Sequence, residues 1–307
     1  MQTEQGILRL SILVTFALAA FGVVFGVLTG SSSIIFDGVY SALDASMTIL
    51  ALLVSRLITQ SMGERTRARL VRHFTMGFWH LEPMVLGLSG FLLIGAAGYA
   101  LANAVSSLLS GGRVLAFDHA ILYAALTLCV ALGMALFVRR ANRRIGSAFL
   151  ELDAKAWMIS AAMTGALFVA FAFGWAIQGT SWQSVSPYID PAVLALVCLV
   201  VLPAPLPTVR QALADIMLVT PQDLKTHVDE VACSIVTRHG FLGHVAYVAR
   251  VGRGRQIELF FIVPRGAPAR SLEEWDQIRD EVGRDIGDEG PDRWLTIAFT
   301  TDPEWAT

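Results

Sequence analysis

No charged residue falls between Arg9 and Asp37, and this apolar run exceeds the roughly 20 residues that a helix needs to cross the hydrocarbon of a bilayer. Five further apolar stretches follow. They run from about Ile34 to Ile58, from Glu82 to about Leu109, from about Leu115 to Val138, from near Leu150 onward, and from Asp190-Pro191 to the prolines 203, 205 and 207. The pattern predicts a six-span, all-α membrane bundle over residues 1–207. Beyond it the pattern changes period. Thr220-Pro221-Gln222-Asp223 predicts a helix start, with Thr220 as the cap and Pro221 at the first helical position. Leu224, Val228, Val231 and Ile235 then mark one helical face. Two strand-like runs, His244–Val251 and Gln256–Val263, flank the hairpin signal Gly252-Arg253-Gly254. Ser271-Leu272-Glu273-Glu274 predicts a capping box opening a helix with Trp275, Ile278, Val282 and Ile286 inward, and Trp294–Thr300 closes as a strand. The order helix, strand, strand, helix, strand predicts a C-terminal α+β, ferredoxin-like domain over residues 208–307.

Composition agrees with the spans: 55% hydrophobic, 16% charged and a mean hydropathy of +0.60 are too apolar for a soluble chain of 307 residues. A secreted disulfide scaffold, a disordered chain and a single-span anchored enzyme are excluded. Cys129, Cys198 and Cys233 show neither pairing nor metal-ligand spacing and read as small buried apolar residues. No cleavable leader is expected. The net charge of −2 conceals an uneven distribution: residues 1–207 hold 12 Lys/Arg against 9 Asp/Glu, and residues 208–307 hold 11 against 16. Basic residues collect on the cytoplasmic side of membrane proteins. Placing both termini inside puts Arg9, the arginines at 56, 65, 67, 69 and 72, the cluster Arg139-Arg140-Ala141-Asn142-Arg143-Arg144 and Arg210 in the cytoplasm, with Arg113 alone outside. A multi-pass protein of the inner or plasma membrane is expected, with the bilayer as its first partner.

Carboxylates at bilayer depth are costly and mark candidate functional positions. Asp37, Tyr40 and Asp44 fall at i, i+3 and i+7, one stripe of the second span. Asp153, Ala156 and Ser160 repeat that spacing on the fifth, so two polar stripes can face each other. Each has a structural alternative. Tyr40 can be a packed aromatic, Ser160 can hydrogen-bond between helices, and Asp37 and Asp153 can cap helices or bind backbone. Asp44 is the hardest to explain without function. Lys155 is expected to pair with Glu151 or snorkel, and Glu82 to serve the helix dipole. No phosphate loop, nucleophile–base pair or cofactor fingerprint occurs, so neither an enzyme nor a cofactor is expected, and no nucleic-acid partner.

The chain resembles the cation diffusion facilitator family. The resemblance lies in Phe36-Asp37-Gly38-Val39-Tyr40-Ser41-Ala42-Leu43-Asp44, in Gly77-Phe78-Trp79-His80-Leu81-Glu82-Pro83, in Arg140-Ala141-Asn142-Arg143, in Leu152-Asp153-Ala154, in Asp190-Pro191-Ala192 and in Ser271-Leu272-Glu273-Glu274. It implies a homodimeric, proton-coupled cation exporter with its transport site between the second and fifth spans. The family's tetrahedral cage aligns with Tyr40 and Asp44 on one helix and with Ala156 and Ser160 on the other. Only Asp44 is a strong ligand there, so manganese, iron, magnesium or a monovalent cation is favoured over zinc, with Asp37 and Asp153 as added charge. The competing reading is a non-transporting regulatory partner that keeps the fold with a degenerate site. His73 and His80 lie where zinc members keep an auxiliary site, but Phe78 takes the expected histidine position. His239 and His244 form too weak a pattern for a metal site in the tail. Tail association is expected to be metal-free and to use outward apolar residues such as Phe260 and Ile262.

Overall fold

The computed structural model describes residues 4–61, 78–145, 148–290 and 292–306. Arg65, Arg67, Arg69, Arg72, His73 and Gly77 lie outside the described residues. Among the described residues six helices are long and apolar enough to cross a membrane: α1 (Glu4–Thr29), α2 (Ser32–Ser61), α3 (Leu81–Leu109), α4 (Phe117–Ile145), α5 (Ala148–Ala176) and α6 (Ser186–Val201). Helices α7 (Leu206–Ile216), α8 (Gln222–His239) and α9 (Leu272–Ile286) follow, with strands β1 (Gly243–Val251), β2 (Gly254–Ile262) and β3 (Arg293–Thr300). The spans keep large apolar side chains outward, among them Leu13 at 68%, Leu136 at 62% and Leu196 at 63% exposure. In water such a surface would aggregate; in hydrocarbon it is the solvated one. Cys129 is exposed on α4 and Cys233 on α8, while Cys198 is buried. The expectation of three buried cysteines therefore holds for one, because an outward position on a span is itself an apolar environment and α8 keeps one face out of its core.

The chain divides into two compact units, Met1–Leu50 with Leu88–Pro207, and Ala51–Gly87 with Thr208–Thr307. In the first unit, small residues set how closely the helices approach. A Cβ on Gly38 of α2 would stand 2.7 Å from the carbonyl oxygen of Ala19, and one on Gly22 would stand 2.8 Å from the Tyr123 hydroxyl. Glycine at both positions lets the α1 and α2 backbones touch. A core of Ile34, Phe117, Tyr123, Leu167 and Phe171 forms on one side of that crossing. A second, of Ile7, Ala131, Met134, Ala135, Val138, Leu150 and Trp157, ties α1, α4 and α5 together.

One buried carboxylate joins α6 to the start of α2. Asp190 is 1% exposed. It accepts hydrogen bonds from Ser31 Oγ at 2.5 Å, the Ser32 amide at 3.0 Å and the Ser33 amide at 3.3 Å, while Ser33 Oγ donates to its carbonyl. Amides of a first helical turn have no partner within their own helix. A carboxylate from another helix satisfies them here and complements the helix dipole.

The second unit holds the sheet, ordered β1-β2-β3, with β1 antiparallel and β3 parallel to β2. This is the ferredoxin-like arrangement without the strand that would separate β2 from β3. Ile257, Leu259 and Phe261 alternate inward from β2 onto Val228, Ala232 and Ile235 of α8 and Ile278, Val282 and Ile286 of α9. Phe260 and Ile262 take the alternate positions and are half-buried, and Phe260 meets Tyr247 edge-on. The Ser271–Glu274 capping box forms with both hydrogen bonds. Helix α8 begins one residue later than its sequence signal: Pro221, not Thr220, is the cap and makes no side-chain hydrogen bond. Asp223 serves that first turn instead, the Leu224 amide holding its carboxyl below the usual range.

The tail histidines have carboxylate partners. His244 meets Asp229 at 3.3 Å, and His239 meets Glu281 at 2.9 Å beside Arg238. Burial pushes the Glu281 carboxyl up, but the hydrogen bonds from His239 and Arg238 outweigh it, so Glu281 titrates below its ordinary 4.5. A depressed acid stabilises the fold while ionised, and that contribution is lost as pH falls through the lowered value. Protection of the α8 and α9 amides of the full-length protein against hydrogen exchange, taken relative to the intrinsic exchange rate at each pH, should therefore fall as pH falls below 4.5. Glu281→Gln should flatten that dependence; an unchanged profile would show that the cluster adds nothing.

Candidate cation site in the membrane

Helix α2 carries the expected stripe, and the first unit gives each member a different setting. Asp37 Oδ2 accepts a hydrogen bond from Tyr123 of α4 at 3.0 Å. Tyr123 is itself fixed, 1% exposed and stacked on Phe21 and Phe25 of α1. The Gly22–Gly38 approach brings its hydroxyl within reach of Asp37. Asp37 and Tyr40 share one narrow cavity with Ser33 and Phe36 of α2, Met163 and Leu167 of α5, and Leu194 and Val197 of α6. The Tyr40 ring lies 5.4 Å from that of Phe36. Asp44, two turns on from Asp37, is exposed. Its place is 12 residues into a 30-residue helix, about 18 Å from the helix start.

On α5 the residues divide. Ala156 is exposed and Ser160 half-buried. Asp153 engages α1: its Oδ1 accepts from Ser11 Oγ at 2.8 Å, and Ser11 Oγ accepts from Trp157 Nε1 at 2.8 Å. The other oxygen, Oδ2, is buried with no hydrogen-bond partner among the described residues. Lys155 pairs with Glu151 at 2.8 Å, both well exposed. No three His, Cys, Asp or Glu side chains converge on a metal-sized site among the described residues. The oxygen atoms of α2 thus lie along one helix, with a carboxylate at each end of the stripe and a phenol between.

Glu82, read from sequence as a dipole partner, has a specific one within the second unit. Arg253, at the tip of the β1–β2 hairpin, donates from Nε to Glu82 Oε2 at 3.0 Å and from a terminal nitrogen to Ser55 Oγ at 3.0 Å. The Arg253 amide also reaches Glu82, at 3.2 Å, and the Gly252 amide reaches Asp215 Oδ2 at 3.2 Å. Gly252 has φ +60°, and a Cβ on Gly254 would stand 2.6 Å from the Trp79 ring. The hairpin signal therefore encodes a turn and also a fit. Tyr123 and Ser11 are residues that sequence reading passed over, and the partners of Asp190 and Arg253 were not foreseen. The serine triplet after Gly30, a helix-start signal, was the one local hint to the Asp190 contact.

Among the described residues, six helices long and apolar enough to span, followed by a small α+β unit, define a polytopic membrane protein. The family profile of the cation efflux transmembrane domain matches residues 8–217. The chain belongs to the cation efflux family, the cation diffusion facilitators, whose members are transporters rather than enzymes. No curated protein matches it.

Proposed function

We propose that the protein exports a cation in exchange for protons, through a site between α2 and α5 with Asp44 as its principal ligand. The observation that carries this reading is the exposed Asp44 carboxylate in the middle of a span. A carboxylate facing hydrocarbon costs several kcal/mol, so water or a second protomer must meet it there. A water-filled cleft open to one membrane face is the arrangement that alternating access requires. Tyr40 and Asp37, in their cavity beside α5 and α6, extend the oxygen donors one and two turns, respectively, toward the α2 start. Ser160 and Asp153 are the α5 candidates, Asp153 offering the buried oxygen that has no partner among the described residues.

Carboxylate, phenol and hydroxyl form a hard donor set without imidazole or thiolate. Magnesium, manganese, ferrous iron or a monovalent cation suits it better than zinc. Both termini in the cytoplasm of the inner or plasma membrane, and a homodimer, complete the proposal. The division of the chain into a transport domain through residue 207 and a tail from 208 belongs to the same reading.

Flux into proteoliposomes across a panel of divalent and monovalent cations, with and without a proton gradient, tests it. Flux of no cation would favour the regulatory, non-transporting alternative. Zinc should bind the purified protein no more tightly than manganese. Calorimetry giving submicromolar zinc affinity that is lost on Tyr40→Phe would overturn the choice of cation.

A further inference from the structure

The Ile145 end of α4 carries four arginines in six residues, Arg139, Arg140, Arg143 and Arg144, all exposed. Among the described residues none of them is hydrogen-bonded or paired with a carboxylate, and the same holds for the exposed Arg9 on α1. The core of α1, α4 and α5 joins Ile7 to Val138, which places Arg9 at the same end of the bundle. Arg9 and the four α4 arginines thus stand at one end of the first unit. Glu151, the nearest carboxylate in sequence, is already engaged by Lys155.

What lies above the arginines on the same helix distinguishes this corner from a merely basic loop. The buried residues of this segment, Ala131, Met134, Ala135 and Val138, fix the inner face of α4. On the outer side, Leu132, Leu136, Arg139 and Arg143 follow at i, i+4, i+7 and i+11. Phe137, Arg140 and Arg144 follow on the neighbouring strip at i, i+3 and i+7. Helical residues at these spacings share a face. Leu132, Leu136 and Phe137 are 40%, 62% and 45% exposed. Each strip therefore runs from apolar surface straight into paired guanidiniums, and on α1 the exposed Leu13 sits one turn from Arg9.

We infer that this corner is a binding site for an anionic phospholipid, with the phosphate held by the α4 arginines and an acyl chain laid along Leu132, Leu136 and Phe137. Two simpler roles are insufficient. Topology needs only positive charge in a loop, whereas these four lie within the helix. The negative helix end accounts for cations in its last turn, but Arg139 and Arg140 come a turn earlier. Arginine's planar fork offers two parallel hydrogen bonds to a phosphate, and lysine's ammonium does not.

The test is native mass spectrometry of the full-length protein in detergent, titrated with phosphatidylglycerol or phosphatidylcholine of equal acyl length. The wild type should retain phosphatidylglycerol at about tenfold lower concentration or better, since several basic side chains add their attraction for anionic lipid. The quadruple variant Arg139→Gln/Arg140→Gln/Arg143→Gln/Arg144→Gln should lose that preference, and Arg265→Gln in the tail should keep it. Should the quadruple variant fail to fold, the pairs Arg139→Gln/Arg143→Gln and Arg140→Gln/Arg144→Gln should each lose part of it. The measurement is blind to membrane orientation, so a topology effect does not enter it. Equal retention of the two lipids, or a preference that survives the substitutions, would overturn the proposal. Displacement of phosphatidylglycerol by equimolar inorganic phosphate would also do so, showing a site for free anions instead of lipid.

Discussion

Replacing Asp44 with alanine is expected to abolish cation flux in proteoliposomes while leaving the assembly of the purified protein unchanged. In the proposed site Asp44 is the sole conventional ligand, beside Tyr40, Ala156 and Ser160. Phenol and hydroxyl oxygens without a carboxylate hold a divalent cation too weakly to strip it of water. Because Asp44 makes no hydrogen bond among the described residues, its loss should cost the fold little, and removing a carboxylate from bilayer depth should if anything stabilise it. Flux and thermal stability should therefore move independently. Wild-type flux in the variant would place the site elsewhere, with Asp37 and its cavity the next candidate.

Asp190→Ala should have the opposite signature, a large loss of stability. Three donors converge on the Asp190 carboxylate inside the first unit, one hydroxyl and two amides from the start of α2. Buried donors left without an acceptor cost about 1–3 kcal/mol each, so a loss of at least about 3 kcal/mol is expected, on the order of 10 °C in melting temperature. Asp190→Asn keeps the shape and one acceptor oxygen and should fall between. Unfolding in detergent followed by tryptophan fluorescence measures both. A shift of about one degree for alanine would mean that water replaces the carboxylate and that the contact is dispensable.

The spans were legible because the bilayer imposes a single requirement, a long apolar run, and nothing in tertiary structure can override it. The capping box at Ser271 and the hairpin at Gly252 were legible for a related reason, since both are settled by residues adjacent in the chain. Partnerships between residues far apart in the chain were not, although the local Glu151–Lys155 pair was. Tyr123 reaches Asp37 across 86 residues, Ser11 reaches Asp153 across 142, and the serine triplet reaches Asp190 across more than 150. Local periodicity can say that a carboxylate needs a partner, but only the packing of helices says which one. The stripe on α2 was visible as a spacing. That Asp37 and Tyr40 line a cavity while Asp44 stands exposed depends on how α4, α5 and α6 fill the space around it.

The pairing of Glu82 with Arg253 also has a consequence in time. The two residues are 171 positions apart, and a ribosome adds about 5–20 residues per second. For roughly ten to thirty seconds the third span therefore exists before its partner has been made. A nascent chain released between residues 208 and 252 would contain all six spans yet lack the contact that engages Glu82 and Ser55. Truncated chains should thus enter the membrane with Glu82 lacking the Arg253 guanidinium, an intermediate that quality control can recognise before the hairpin docks.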